Sequence, residues 1–77
     1  MHELAIAMDI VELAEARCGD ARICKVTIEV GARAMVLPDA LAFCWRAATE
    51  GTAAEGAALE LVPVDGDVLK VLSMEVE

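Results

Sequence analysis

The sequence predicts an α+β domain: two helices packed on one face of a three-stranded mixed sheet, in the order α-β-α-β-β. Three observations carry this expectation. Apolar residues recur every three or four positions in two stretches, one from residue 4 to about 17 and one from Pro38 to Gly51. The stretch RICKVTIEVG alternates apolar and polar residues with a period of two. Two further strand-like runs, Ala58–Val62 and Val68–Val76, close the chain with little more than V-D-G-D between them.

The first helix shows Leu4, Ala7, Val11, Ala14 and Cys18 on one stripe, widened by Ile6, Ile10 and Leu13. Asp9, Glu12 and Glu15 occupy the other side, and Gly19 is suited to stop the helix. In the first strand, Cys24, Val26, Ile28 and Val30 form the inward set and Lys25, Thr27 and Glu29 the outward set, with Gly31 at the end. Pro38 suits the first turn of the second helix, where a missing N–H costs nothing, and Asp39 complements the helix dipole. The stripe of this helix is Leu41, Cys44, Trp45 and Ala48, with Phe43 and Ala47 alongside.

The second strand, Ala58–Val62, puts Leu59 and Leu61 on one face and ends at Pro63. In the third, Val68, Lys70, Leu72, Met74 and Val76 share one face. The crossover through the second helix makes strands one and two parallel. Asp65-Gly66 reads as a tight hairpin that pairs strands two and three antiparallel.

A chain of 77 residues is one domain, residues 1–77, with a thin core. Its net charge of −8 repels phosphate backbones and makes nucleic acid a poor partner. The longest apolar run, Ala40–Trp45, is far short of the roughly 20 residues that span a bilayer. No basic residue precedes the first apolar segment, as a secretory signal would require, so a cytoplasmic location is expected, with no membrane association. Cys18, Cys24 and Cys44 are odd in number and make no C-x-x-C pair, hence neither a disulfide framework nor a zinc signature. Cys24 and Cys44 read as small hydrophobes. With one histidine and no base beside its hydroxyl residues, the chain offers no catalytic constellation, and no enzyme is expected.

The remaining chemistry is Met1-His2-Glu3. A free terminal amine, the His2 amide nitrogen and its imidazole Nδ1 can close adjacent chelate rings on one metal, and the Glu3 amide can supply a fourth nitrogen. Four nitrogens in a plane suit Ni(II) or Cu(II), whereas Zn(II) favours a tetrahedron. The residues alone permit this site without demanding it, since a histidine at a chain end is commonly frayed and idle.

Several ordered stretches bear on the choice: MHEL at the start, K-V-x-I-x-V-G in the first strand, L-P-D-A-L-A-F-C-W in the second helix, G-T-A-A-E-G-A-A-L-E-L, and the final L-S-M-E-V-E. Together they resemble the HypA/HybF family of nickel metallochaperones in [NiFe]-hydrogenase and urease maturation. The resemblance implies that Met1, His2 and Glu3 hold Ni(II): Met1 by its amine, His2 by imidazole and amide, Glu3 by its amide or as a nearby carboxylate. It implies a HypB-type GTPase and the hydrogenase large subunit as partners, with urease accessory proteins in some members.

One departure is large. The family carries a zinc domain between the last two strands, held by two C-x-x-C-type pairs. Here the chain runs from Val64 through Asp65 to Gly66, so the zinc domain is absent between Val64 and Gly66 and no zinc is expected. Ala32 is a smaller departure, where many members have an acidic residue. A shortened junction also favours a homodimer by exchange of the last strand, Val68–Glu77. The competing reading is a metal-free protein-interaction or oligomerisation module.

Overall fold

The computed structural model describes residues 2–77, with side chains from Glu3 onward. The elements are α1 (His2–Cys18), β1 (Ile23–Gly31), α2 (Pro38–Thr49), β2 (Ala58–Val64) and β3 (Leu69–Val76). The expected α+β class and the order α-β-α-β-β are what the chain adopts. Helix α1 starts at His2, two residues before the apolar stripe begins, so His2 and Glu3 belong to its first turn.

Strand β1 lies at the centre of the sheet, in the order β2-β1-β3. It pairs parallel with β2, as the crossover through α2 requires, and antiparallel with β3. The expected β2–β3 hairpin does not form. The two strands run in opposite directions but stand on either side of β1. Asp65-Gly66 has the turn chemistry of a hairpin, yet the 65–68 link carries β3 past the end of β1. The gain is that β1, the most strongly alternating strand, has both of its edges paired. Its Val26 and Ile28 are fully buried.

This crossing requires Gly31. Gly31 N donates to Val68 O (2.6 Å), Ala32 N to Val64 O (2.8 Å) and Arg33 N to Gly66 O (2.7 Å). A Cβ on Gly31 would overlap Gly66 O and stand 2.7 Å from Gly66 C and Val68 N. Backbone approaches backbone here, and only glycine leaves the room.

The core lies between the sheet and the helices. Ala7, Ile10, Val11 and Ala14 of α1 and Leu41 and Trp45 of α2 meet Ile23, Val26, Ile28 and Val30 of β1. Trp45 Nε1 donates to Ala57 O (2.9 Å), which satisfies the indole and fixes α2 to the start of β2. Glu15 accepts from Ala53 N (3.1 Å), tying α1 to the same loop.

Side chains at three places depart from their expected faces. Phe43 is 87% exposed rather than alongside the buried stripe. It sits roughly 200° round the helix from Leu41, on the far side. Cys24 is exposed because the β1–β3 register shifts between Ile23 and Lys25, which hands the inward position to Ile23. A second shift, between Thr27 and Ile28, makes Leu72 the extra residue of β3. Val71 and Met74 therefore pack against the core, and Lys70 and Leu72 do not share their face.

The outer face of the sheet is polar. Lys25 Nζ lies 3.1 Å from Glu60 Oε1, and Thr27 Oγ1 donates to the same oxygen (3.2 Å). The Lys25 hydrogen bond, then its charge, then Thr27, hold the Glu60 carboxyl below its ordinary value. The same bond and the Glu60 charge, with Glu75 adding, hold the Lys25 ammonium above its own.

Candidate metal centre

The candidate ligands sit at the N-terminal end of α1. His2 and Glu3 stand in the first turn of α1, where a backbone N–H has no helical acceptor one turn back. Helical ψ also brings consecutive backbone nitrogens to the same side of the intervening Cα, whereas extended backbone sets them apart. Both features are what amide ligation needs. Met1 and the His2 imidazole, half of the expected donor set, lie outside the described residues.

Glu3 is described in full. Its side chain is only 8% exposed, and Oε2 accepts from Leu37 N (3.2 Å). Leu37 is the N-cap residue of α2 and has no capping side chain of its own. Glu3 thus bridges the start of α1 to the start of α2 and supplies an acceptor to the N-terminal end of α2. The expectation of Glu3 as a carboxylate near the metal meets a side chain whose Oε2 is turned toward Leu37.

The bridge brings apolar surface beside the candidate ligands. Leu37 is 66% exposed and Met35 86%. Met35 also has φ 61, a left-handed conformation uncommon for a residue with a Cβ. The local sequence marks Met35 and Leu37 as apolar; the contact that sets Leu37 beside Glu3 spans 34 positions and is not written in it.

Elsewhere, among the described residues, no three His, Cys, Asp or Glu side chains converge as a metal-holding group. Cys18, Cys24 and Cys44 are free thiols in three different settings, half-buried, exposed and buried. Cys18 Sγ lies 3.8 Å from Met74 Sδ, a soft packing contact between α1 and β3. No helix among the described residues is long and apolar enough to cross a membrane.

Residues 1–69 match the family model described as hydrogenase/urease nickel incorporation, metallochaperone, hypA. The chain belongs to the HypA family. Among its relatives, the hydrogenase maturation factor HypA of Geobacter metallireducens is 42% identical over 66 residues, 86% of this chain and 60% of that protein. The factor of the same name from Geotalea daltonii is 44% identical over 68 residues, 86% of this chain and 62% of its own. That of Bradyrhizobium sp. is 44% identical over 69 residues, with 86% and 61% covered. The chain thus spans about 60% of the length of the HypA relatives it matches. The matched region contains Met1, His2 and Glu3, and with them the start of α1.

Proposed function

We propose that this chain is the nickel-holding part of a HypA-type metallochaperone, with Ni(II) bound in a plane at its N-terminus. Met1 supplies the amine and His2 its amide and Nδ1, with Glu3, by its amide or carboxylate, the nearest candidate to complete the set. The observation that carries this reading is the family match running from residue 1, across His2 and Glu3 in the first turn of α1. A cation at a helix N-terminus opposes the dipole by about 0.3–1 kcal/mol. Each deprotonated amide brings a negative charge to the metal and reverses that sign. Chelation of a divalent metal by a protein donor set is worth roughly ten times more.

Delivery follows from the same geometry. A receiving protein must reach the metal's coordination sphere, and exposed Leu37 and Met35 offer it an apolar foothold beside α1. A HypB-type GTPase and the hydrogenase large subunit, or a urease accessory protein, are the proposed partners, in the cytoplasm. The zinc domain of the family is proposed to be absent between Val64 and Gly66, where the 65–68 link instead closes directly over Gly31.

The test is a Ni(II) titration of protein whose Met1 amine is free, followed by absorbance in the square-planar range. One equivalent should bind, and affinity should fall at low pH as protons compete. His2→Ala and a residue added before Met1 should each abolish the band. Equal binding by all three proteins would place the metal elsewhere. Absence of binding by all three would favour a metal-free interaction module.

A further inference from the structure

We propose that β3 is a docking edge for a second copy of this chain, giving a two-fold dimer with one continuous six-stranded sheet, β2-β1-β3-β3-β1-β2. The two outer strands of the sheet are not equivalent. Strand β2 carries Pro63, which removes a donor and blunts that edge. Strand β3 has no proline and, among the described residues, pairs only with β1. Exposed Val68, Leu69, Leu72 and Val76 all lie on or beside it. Helix α1 overhangs it incompletely, leaving a groove of about 190 Å³ between Ile6, Ile10 and Leu13 above and Leu69 and Val71 below.

The sequence of β3 says what fits there. Register with β1 sets Leu69, Val71, Met74 and Val76 opposite Val30, Ile28, Val26 and Ile23, on the helix side. Lys70, Ser73 and Glu75 stand opposite Glu29, Thr27 and Lys25, on the outer side. Directly opposed residues of an antiparallel pair share a face. In a regular strand, a two-fold normal to the sheet then allows no pairing of odd-numbered with even-numbered positions. The extra residue Leu72 changes the parity between the two halves of β3 and opens such registers, of which the one centred between Leu72 and Ser73 pairs the most positions. In it Leu69 meets Val76 of the other copy, and Val71 meets Met74, both on the helix side. Lys70 meets Glu75 on the outer side, twice, by symmetry. Shifting the register by one residue either way sets helix-side residues against outer ones. Centring it on Lys70 or Glu75 sets like charges together. The strand is thus complementary to itself in charge and in face. In the dimer, Met74 and Val76 of the other copy would extend the apolar floor at the mouth of the α1 groove.

The arrangement leaves β3 in its own sheet and needs no strand exchange. It stands apart from the metal reading, since its residues are remote in sequence from Met1–Glu3 and its readout involves no metal.

Sedimentation equilibrium of the whole chain should show a concentration-dependent dimer that relaxes on dilution. K70E and E75K should each weaken it about tenfold, because each turns two opposite-charge pairs into two like-charge pairs. The combined K70E/E75K chain should recover most of that loss. Because that double reversal also faces like charges across β1, amide exchange on the unaltered chain gives an independent measure. Exchange over 69–76 should slow as protein concentration rises, while that over 58–64 should not. A monomer at every accessible concentration overturns the proposal. So does a dimer indifferent to both single reversals, or one that survives dilution, as an exchanged last strand would.

Discussion

At the Gly31 crossing, three backbone N–H groups hold the end of β2 and the 65–68 link against the end of β1. At the start of α1, one carboxylate, Glu3, reaches the Leu37 amide. The first junction is made of main chain alone, with no side chain that could be exchanged for another. The second hangs on a side chain and is flanked by exposed Met35 and Leu37. A junction of the first kind tolerates almost no change and is suited to a single, fixed arrangement. A junction of the second kind can be loosened without dismantling the core, which suits the proposed binding and release of a cargo. The molecule keeps its rigidity where β3 is anchored and its adaptability where the metal is proposed to sit.

Breaking the rigid junction should have the largest effect. Gly31→Ala places a Cβ on top of Gly66 O, and backbone on both sides leaves nothing soft to move. Loss of the crossing and of part of the β3 pairing should destabilise the fold by about 3 kcal/mol or more. For a domain of this size that is a Tm lower by roughly 12–24 °C, read by thermal unfolding monitored by circular dichroism. Gly51→Ala is the comparison, since its Cβ would meet nothing within 4 Å and only its φ of 77 is strained. A Gly31→Ala chain no less stable than Gly51→Ala would mean that the link is not held as described.

Breaking the adaptable junction should cost less. Glu3→Ala removes a charged, nearly buried acceptor from a partly buried hydrogen bond, at about 1–3 kcal/mol. Glu3→Gln keeps an acceptor oxygen and should lose less than half of that. If nickel binds through the Glu3 amide, both variants should still take up one equivalent. Loss of binding in Glu3→Ala with retention in Glu3→Gln would show that the bridge to Leu37 positions the first turn. Equal loss in both would bring the carboxylate itself into the site.

The sequence made some of this legible and hid the rest for identifiable reasons. Helix periods and the alternation in β1 announced the layers, because each is written in neighbouring residues. Sheet order was misread because Asp65-Gly66 has a strong local turn preference. That preference yielded to the burial available when both edges of β1 are covered. The faces of Cys24 and β3 were misassigned because register shifts are set by the partner strand, not by the strand's own alternation. Phe43 was misplaced by reading adjacency in sequence as adjacency on a helix. At the candidate site, chelate chemistry could be read from Met1-His2-Glu3, three consecutive residues. The Glu3–Leu37 bridge spans 34 positions and leaves no trace in local pattern.

The outer face of the sheet should respond least of all, and it sharpens the contrast by showing how little a surface ion pair resembles either junction. Lys25 and Glu60 pair at 3.1 Å but stand in solvent, so their mutual support is small and screened by salt. Glu60 is depressed below its ordinary value of 4.5, so its contribution is present above that value and is lost as pH falls through the lowered one. Lys25 is raised above 10.5, so its contribution is present below that value and is lost as pH climbs through the raised one. Between these limits the pair should add a constant increment. Glu60→Gln should lower Tm slightly at about pH 7, and the difference from the unaltered chain should shrink as pH falls through the lowered Glu60 value and the carboxyl takes up its proton. It should also shrink in 1 M salt, where the Debye length is about 3 Å. A difference that did not shrink with falling pH would assign the loss to the Thr27 contact or to packing, and not to the charge on Glu60.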